Sequence, residues 1–351
     1  MRGEGLRFAP RKILIVLHGS IGDVTRALPL VSLLRGGFRE ARIIWSVEPV
    51  SLPLVKGYPG VDDIIVFERQ HGWQAFFPFL ARIRAERFDL VLDLQRHFKS
   101  GIISWWSGAP QRIGFHRADC KELNWLFNNR HIGRYDDDIP KLDHYLKFAE
   151  FLGVASAPVE WHFPIGAEEH AAVDRHLAQV SAGFAALFVG TRWPSKQWFP
   201  SQMARCVELL RAEYQLGAVL LGSAAERELA ADVVAETQTP VVDLVGRTSL
   251  REAVGIIQRA AVAIGPDTGL MHIAAAVKTP VISLWGATSP NRTGPYGFKD
   301  FTIQGEAPCV PCYRRRCSIG RICLRSITTG QIADKVATAL SRAKTTNCNH
   351  G

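Results

Sequence analysis

Four segments of the chain set charged or hydroxyl side chains beside glycine, a combination suited to holding an anion or moving a proton. In His18-Gly-Ser-Ile-Gly-Asp23 the glycines let the backbone come close to a ligand, and the Asp23 carboxylate can take a proton from a hydroxyl. The same aspartate can instead cap the helix it precedes. Gly19-x-x-Gly22 lacks the third glycine of a dinucleotide fingerprint. In Gly265-Pro-Asp-Thr-Gly-Leu-Met-His272, Gly269 and the N–H groups at the head of the next helix form an anion pocket, to which Thr268 adds a hydroxyl. Asp267 would repel a phosphate, so it suits a sugar hydroxyl or a cap. His272, on an apolar helix, serves packing or capping as readily as chemistry. In the segment from Gly190 to Trp198, Lys196 can neutralise a diphosphate and Thr191 can hydrogen-bond it. The alternative there is a solvated loop with Trp198 tucked into the core. In Gly222-Ser-Ala-Ala-Glu226 the carboxylate suits ribose hydroxyls, or complements a helix dipole.

All four segments fall between an apolar run and an amphipathic one, the rhythm of β-α-β units and a parallel sheet. In the first half the predicted strands are 12–17, 42–47, 64–67 and 89–94, with helices over 24–34, 73–85 and 143–152. Pro29 implies that the first helix is kinked or starts later. Residues 155–164, with two prolines, form a linker. The rhythm then restarts with strands at 185–189, 218–221, 261–264 and 281–284 and helices at 199–213, 226–235 and 328–341. Ser249-Leu-Arg-Glu252 has capping-box spacing and opens a further helix to about residue 259. No repeat of solenoid or propeller length occurs. The 351 residues therefore suggest two α/β domains, 1–160 and 161–351, facing each other across a cleft that gathers the four loops.

Apolar residues are 47% and charged residues 21%, which excludes disordered and fibrous classes. No apolar run approaches the roughly 18 residues of a membrane-spanning helix. The run after Lys12 stops at His18, too early for a signal peptide, so a cytoplasmic protein is expected. Lys and Arg number 42 against 33 Asp and Glu, and the net charge of +9 favours nucleic acid, acidic lipid headgroups or phosphorylated substrates. Cys309, Cys312, Cys317 and Cys323 supply four thiols, enough for tetrahedral zinc, but only the first pair has knuckle spacing. No metal is assigned to them. The other reading is a loop of reduced cysteines with Arg314, Arg315 and Arg316 as a solvated, membrane-facing patch.

The chain resembles the ADP-heptose:lipopolysaccharide heptosyltransferases of glycosyltransferase family 9 over nearly its whole length. The likeness rests on Ser20-Ile-Gly-Asp-Val with Ala27-Leu-Pro29, on Asp89 to Gln95 with Lys99-Ser100, and on Thr191 to Trp198. It continues through Pro266-Asp-Thr-Gly-Leu-Met-His272-Ile-Ala-Ala-Ala276 and Pro280 to Pro290, its most specific part. The resemblance implies a GT-B fold, with a Rossmann-like acceptor domain followed by one for the ADP-sugar. It implies inverting transfer of L-glycero-D-manno-heptose from ADP-heptose to the Kdo region of the lipopolysaccharide core, with no metal or cofactor. Asp23 then matches the catalytic base. Thr191 and Lys196 match diphosphate contacts, Lys196 also aiding departure of ADP, and Glu226 matches a nucleoside-side carboxylate. Asp267, Thr268, Gly269 and His272 match the donor block, and Lys99 and Arg117 match contacts to the anionic acceptor. Peripheral contact with the inner membrane follows from such an acceptor. The stretch 42–48 and Tyr296-Gly297 are more similar to enzymes adding the first heptose, whereas the cysteine tail occurs in other branches.

Two rivals remain. One is a related transferase using another nucleotide sugar or core acceptor. The other is a nucleic-acid-binding protein built on the cysteines and arginines, but no RRM, KH or helix-turn-helix pattern is present, and nucleic acid is not an expected partner.

Overall fold

The structure is a computed structural model that describes residues 9–180 and 183–348. The chain divides into two compact units between Pro164 and Ile165. The first contains β1 (Lys12–Val16), β2 (Arg42–Val47), β3 (Asp63–Val66), β4 (Leu90–Asp93), β5 (Gln111–Gly114) and β6 (Arg130–His131). They form a parallel sheet in the order β3-β2-β1-β4-β5-β6. The second contains β7 (Phe184–Phe188), β8 (Gly217–Leu221), β9 (Val241–Asp243), β10 (Val262–Pro266), β11 (Val281–Trp285) and β12 (Thr302–Gln304). Their order, β12-β11-β10-β7-β8-β9, is the same topology again. This is the doubly wound arrangement, and its direction reverses between β1 and β4 and between β7 and β10. Ligands of such sheets bind beyond the carboxyl ends of the strands at that reversal.

Central strands buried on both faces need unbroken apolar runs. Residues 13–16 of β1 and 185–188 of β7 are fully buried, and they were legible for that reason. The short edge strands β6, β9 and β12 and the polar start of β5 lack that signature. Helices Phe98–Trp106 and Ala167–Leu177 were also not expected.

The first helix, Ile21–Gly37, starts earlier than expected and runs through Pro29, which corrects the expectation of a later start. A proline cannot donate to the carbonyl four residues before it, here Thr25. Trp161 supplies the missing donor, its Nε1–H reaching Thr25 O at 2.7 Å. The 155–164 stretch is without helix or strand, yet it is fastened down. Phe163 meets Tyr58 edge-on at 6.3 Å, and the His162 N–H donates to the Tyr58 hydroxyl at 3.4 Å.

Candidate active site

At the reversal point of the first unit, Ser20 is the N-cap of the Ile21–Gly37 helix and Asp23 its third residue. The Asp23 N–H donates to Ser20 Oγ at 3.4 Å, and Asp23 Oδ2 accepts from Ser20 N–H at 3.2 Å and Ser20 Oγ–H at 2.9 Å. The cap is therefore Ser20, and Asp23 closes the capping box. Gly19 is obligatory beside it, because a Cβ there would stand 2.6 Å from that of Asp23. Asp23 Oδ1 accepts from Arg26 Nη2 at 2.8 Å and from Lys141 Nζ. Lys141 opens the helix Lys141–Phe151, which packs against Ile21–Gly37. Burial alone would raise the Asp23 pKa. The Lys141 and Arg26 cations, with hydrogen bonds from Lys141 and Ser20, outweigh burial and hold it well below the usual carboxylate range. Asp23 is thus ionised, with both carboxylate oxygens engaged.

His18 is held in the neutral form. Burial, with the Arg69 charge second, lowers its pKa to about 3, and its ring lies 4.9 Å from Phe67 with Nε2 2.8 Å from Ser46 Oγ. At the end of β4, Asp93 is fully buried and accepts from Asn124 Nδ2 at 2.7 Å and Asn128 Nδ2 at 3.2 Å. Burial nevertheless pushes its pKa up to about 6. Arg96 donates to the Tyr135 hydroxyl and to His144 Nδ1 at 2.9 Å, with its guanidinium 4.8 Å over Phe115. His144 Nε2 in turn lies 3.1 Å from Ile139 O, which assigns the neutral Nε2–H tautomer. Lys99, in the first turn after β4, and Arg117, 5.6 Å over Trp125, are exposed, and neither bonds to Asp23. Arg26, Arg96 and Lys141 were missed. Arg26 stands one helical turn from Asp23 and could have been read from that spacing.

In the second unit the loops after β7, β10 and β11 are laced together. The Thr191 hydroxyl donates to Asp267 O at 2.9 Å, while Asp267 Oδ2 accepts from Lys196 Nζ at 2.5 Å and Thr288 Oγ1 at 2.9 Å. Lys196 Nζ also lies 4.4 Å over the Trp193 ring. Asp267 therefore pairs with the lysine, because the loop after β7 brings that cation to it, and shares the same oxygen with the Thr288 hydroxyl. The N-cap of Gly269–Ala276 is Thr268, whose side chain makes no capping bond. The helix-head N–H groups and Lys196 form the electropositive end of this site. His272 is buried on that helix, at 5% exposure. Glu226 accepts from the Ser223 N–H at 2.6 Å and lies over Gly190, where a Cβ would fall 1.9 Å from its Cγ. It reaches the rim next to Thr191 while capping its own turn. Trp198 is in the core, where the alternative reading of that segment put it.

The cysteine segment braces these loops. Ser195 N–H and Oγ donate to Arg315 O and Arg314 O at 3.2 and 2.5 Å, and the Cys312 and Tyr313 N–H groups donate to Ala287 O at 3.1 and 2.7 Å. Cys309 is exposed and Cys323 buried, and among the described residues no three His, Cys, Asp or Glu side chains are grouped to hold a metal. No helix of the described residues is long and apolar enough to cross a membrane.

Two doubly wound units of one topology, each with charged loops at its strand reversal, define the GT-B class of α/β protein. ADP-heptose lipopolysaccharide heptosyltransferase II of Escherichia coli has this fold, at a TM-score of 0.75 and 22% identity over 95% of this chain and 99% of that one. A family 9 glycosyl transferase of Veillonella parvula matches at 0.81 and 19%, over 97% and 100%. The lipopolysaccharide core heptosyltransferase OpsX of Haemophilus influenzae is 26% identical over 298 residues, 84% of either chain. The sequence model for glycosyltransferase family 9 (heptosyltransferase) matches residues 77–323. The chain belongs to that family and is a glycosyltransferase.

Proposed function

We propose that the protein transfers L-glycero-D-manno-heptose from ADP-heptose to the Kdo/inner-core region of lipopolysaccharide, with inversion and without a catalytic metal. The first unit takes the acceptor and the second the donor. One observation carries this reading: a carboxylate stands at one strand reversal, Asp23, and a lysine beside a helix head at the other, Lys196. Inverting transfer needs those two charges. The acceptor O–H gives its proton to Asp23 as its oxygen bonds the anomeric carbon. The bond from that carbon to the diphosphate breaks on the opposite face, and ADP departs with the electron pair. Lys196, Thr191 and the N–H groups at Thr268 and Gly269 stabilise the charge on the leaving phosphate. Glu226 is assigned to the ribose, and Asp267 holds Lys196 until the donor arrives. His272 supports the donor helix. Lys99 and Arg117 meet outlying acidic groups of the acceptor.

A lipid-linked acceptor places the enzyme at the cytoplasmic face of the inner membrane. The exposed tryptophan and phenylalanine side chains support this, since among the described residues all of them lie in the first unit. Trp73 and Phe77, 74% and 63% exposed, stack at 5.9 Å at the start of the helix after β3. Phe98 begins the helix after β4, and Arg69, Lys99, Arg117 and Lys121 are exposed on the same strand-end side. Aromatic rings among cations suit a headgroup region.

The test is ADP release from a panel of ADP- and UDP-sugars with Kdo-lipid A. Release that needs both ADP-heptose and acceptor supports the reading, and preference for another nucleotide sugar would replace it with a sister activity.

A further inference from the structure

We infer that Lys141 is an acceptor-triggered partner of Asp23: it holds the carboxylate in the empty enzyme and transfers its ion pair to an acidic group of the incoming sugar. This rests on the proposed reading of Asp23 as the base that accepts the acceptor proton.

The argument is geometric. Both carboxylate oxygens are engaged, Oδ2 by Ser20 and Oδ1 by Arg26 and Lys141. Before a hydroxyl can dock on Oδ1, one of the bonds there must open. Ser20 is fixed as the helix N-cap, and Arg26 stands one turn along the same helix with a side chain 8% exposed. Ser20 cannot leave without opening the capping box that carries Asp23, and the Arg26 guanidinium is nearly buried. Lys141 differs in each respect. It belongs to another helix, 118 residues downstream, and its side chain is 26% exposed. Its ammonium rides on a flexible four-carbon stem, so it can swing without moving the backbone. Charged and titratable groups around the pair include Arg26 on the Asp23 helix and Tyr145 one turn beyond Lys141. Behind Tyr145 lie Arg96 and Tyr135. Tyr145 is buried, and burial raises its pKa, so it remains neutral.

An acidic sugar supplies what is needed to draw Lys141 away: a carboxylate of its own, a few atoms from the hydroxyl that reacts. Moving the ammonium from Asp23 to that carboxylate conserves one ion pair and frees Oδ1. The reacting O–H then donates to Oδ1, the new C–O bond forms, and the proton stays on Asp23 until product leaves. Freed of one cation, Asp23 is also a stronger base. A neutral sugar offers Lys141 no exchange and meets a blocked carboxylate.

The test compares wild type, Lys141→Met and Lys141→Arg, each full-length and checked by circular dichroism. Binding of the methyl glycoside of Kdo, and of its carboxyl-reduced analogue, is measured by calorimetry. Wild type and Lys141→Arg should prefer the acid, whereas Lys141→Met should bind it about 10–100-fold more weakly and lose the preference, as expected for a charge-assisted bond. The pH profile of kcat/KM on Kdo-lipid A gives a second readout that a merely structural lysine would not move. Wild-type Asp23 stays ionised far into acid. Lys141→Met raises its pKa, so activity in that variant falls at a higher pH as acid protonates the base, and Lys141→Arg keeps the wild-type profile. Equal preference for the acid and an unshifted acid limb in Lys141→Met would overturn the exchange while transfer stands. Absence of acceptor-dependent ADP release from wild type would overturn the transfer reading and the exchange with it.

Discussion

The two units place a decisive charge at the same topological position and pair it with its opposite, but they build the pair in different ways. In the first unit the carboxylate is rigid: Asp23 is locked into a helix turn by its own capping box, and the cation is a long side chain from a remote helix. In the second, it is the partner carboxylate that is tied, with Asp267 held by Thr288 at 2.9 Å in a lattice of loops that also bonds Thr191. Lys196 comes to it from a separate loop, the one after β7, and lies over the Trp193 ring. In each unit, then, the aspartate keeps further bonds to its own turn or loops, and the lysine arrives from a separate element. On the proposed reading, the base aims at a hydroxyl from a fixed turn, and the phosphate partner reaches toward a leaving group. The same chemical pair therefore suits opposite tasks, depending on which member acts.

That division can be broken in order of expected effect. Asp23→Asn should lower acceptor-dependent ADP release by roughly 10²–10⁴-fold while leaving ADP binding by calorimetry intact. Lys196→Met should cut turnover by about 10²–10³-fold and weaken ADP binding as well. Equal losses of ADP affinity in the two variants would erase the distinction between the units.

A second carboxylate of the first unit sharpens the contrast. The pKa of Asp23 is depressed, so its stabilisation is present above the unfolded carboxylate value and disappears as acid carries the pH down through its native value. Asp93 has the opposite sign. Burial pushes it up to about 6, so its cost begins above the unfolded value and is complete only above that pH. On the order of 3 kcal/mol of unfolding free energy should be lost through this one group between about pH 4 and pH 7. Urea unfolding of Asp93→Asn should lack that component; an equally steep decline in the variant would assign it to other groups.

Smaller effects test the surface and the fastening of the first helix. The double variant Trp73→Ser, Phe77→Ser should bind anionic vesicles about ten-fold more weakly, with unchanged turnover on a soluble acceptor. Undiminished vesicle binding would remove the aromatic contrast between the units. Trp161→Phe should lower stability by about 1 kcal/mol in thermal melts, through the lost bond to Thr25.

The legible parts of the molecule share a physical cause. Central strands announce themselves because burial on two faces demands an apolar run, and the capping box at Ser249 is a local exchange, found in place with Ser249 N–H 2.6 Å from Glu252 Oε2. The glycine-rich loops could be placed because each follows such a strand. Lys141 was invisible for the complementary reason: an ion pair spanning 118 residues leaves no periodicity behind. Arg96 and His144 are likewise joined only by tertiary packing. The pairing of Asp267 with Lys196 was not legible, since the sequence names both loops without saying that they meet.

The bond from Trp161 to Thr25 bears on how the protein is made. Thr25 leaves the ribosome in a helix that its own proline has deprived of a donor, and the replacement arrives 136 residues later. Throughout that interval the nascent helix must leave its open carbonyl to solvent. The first unit is thus sealed by nearly its last residues, and a chain halted at residue 155 would carry every strand of the sheet and still lack the clasp on the helix that bears Asp23.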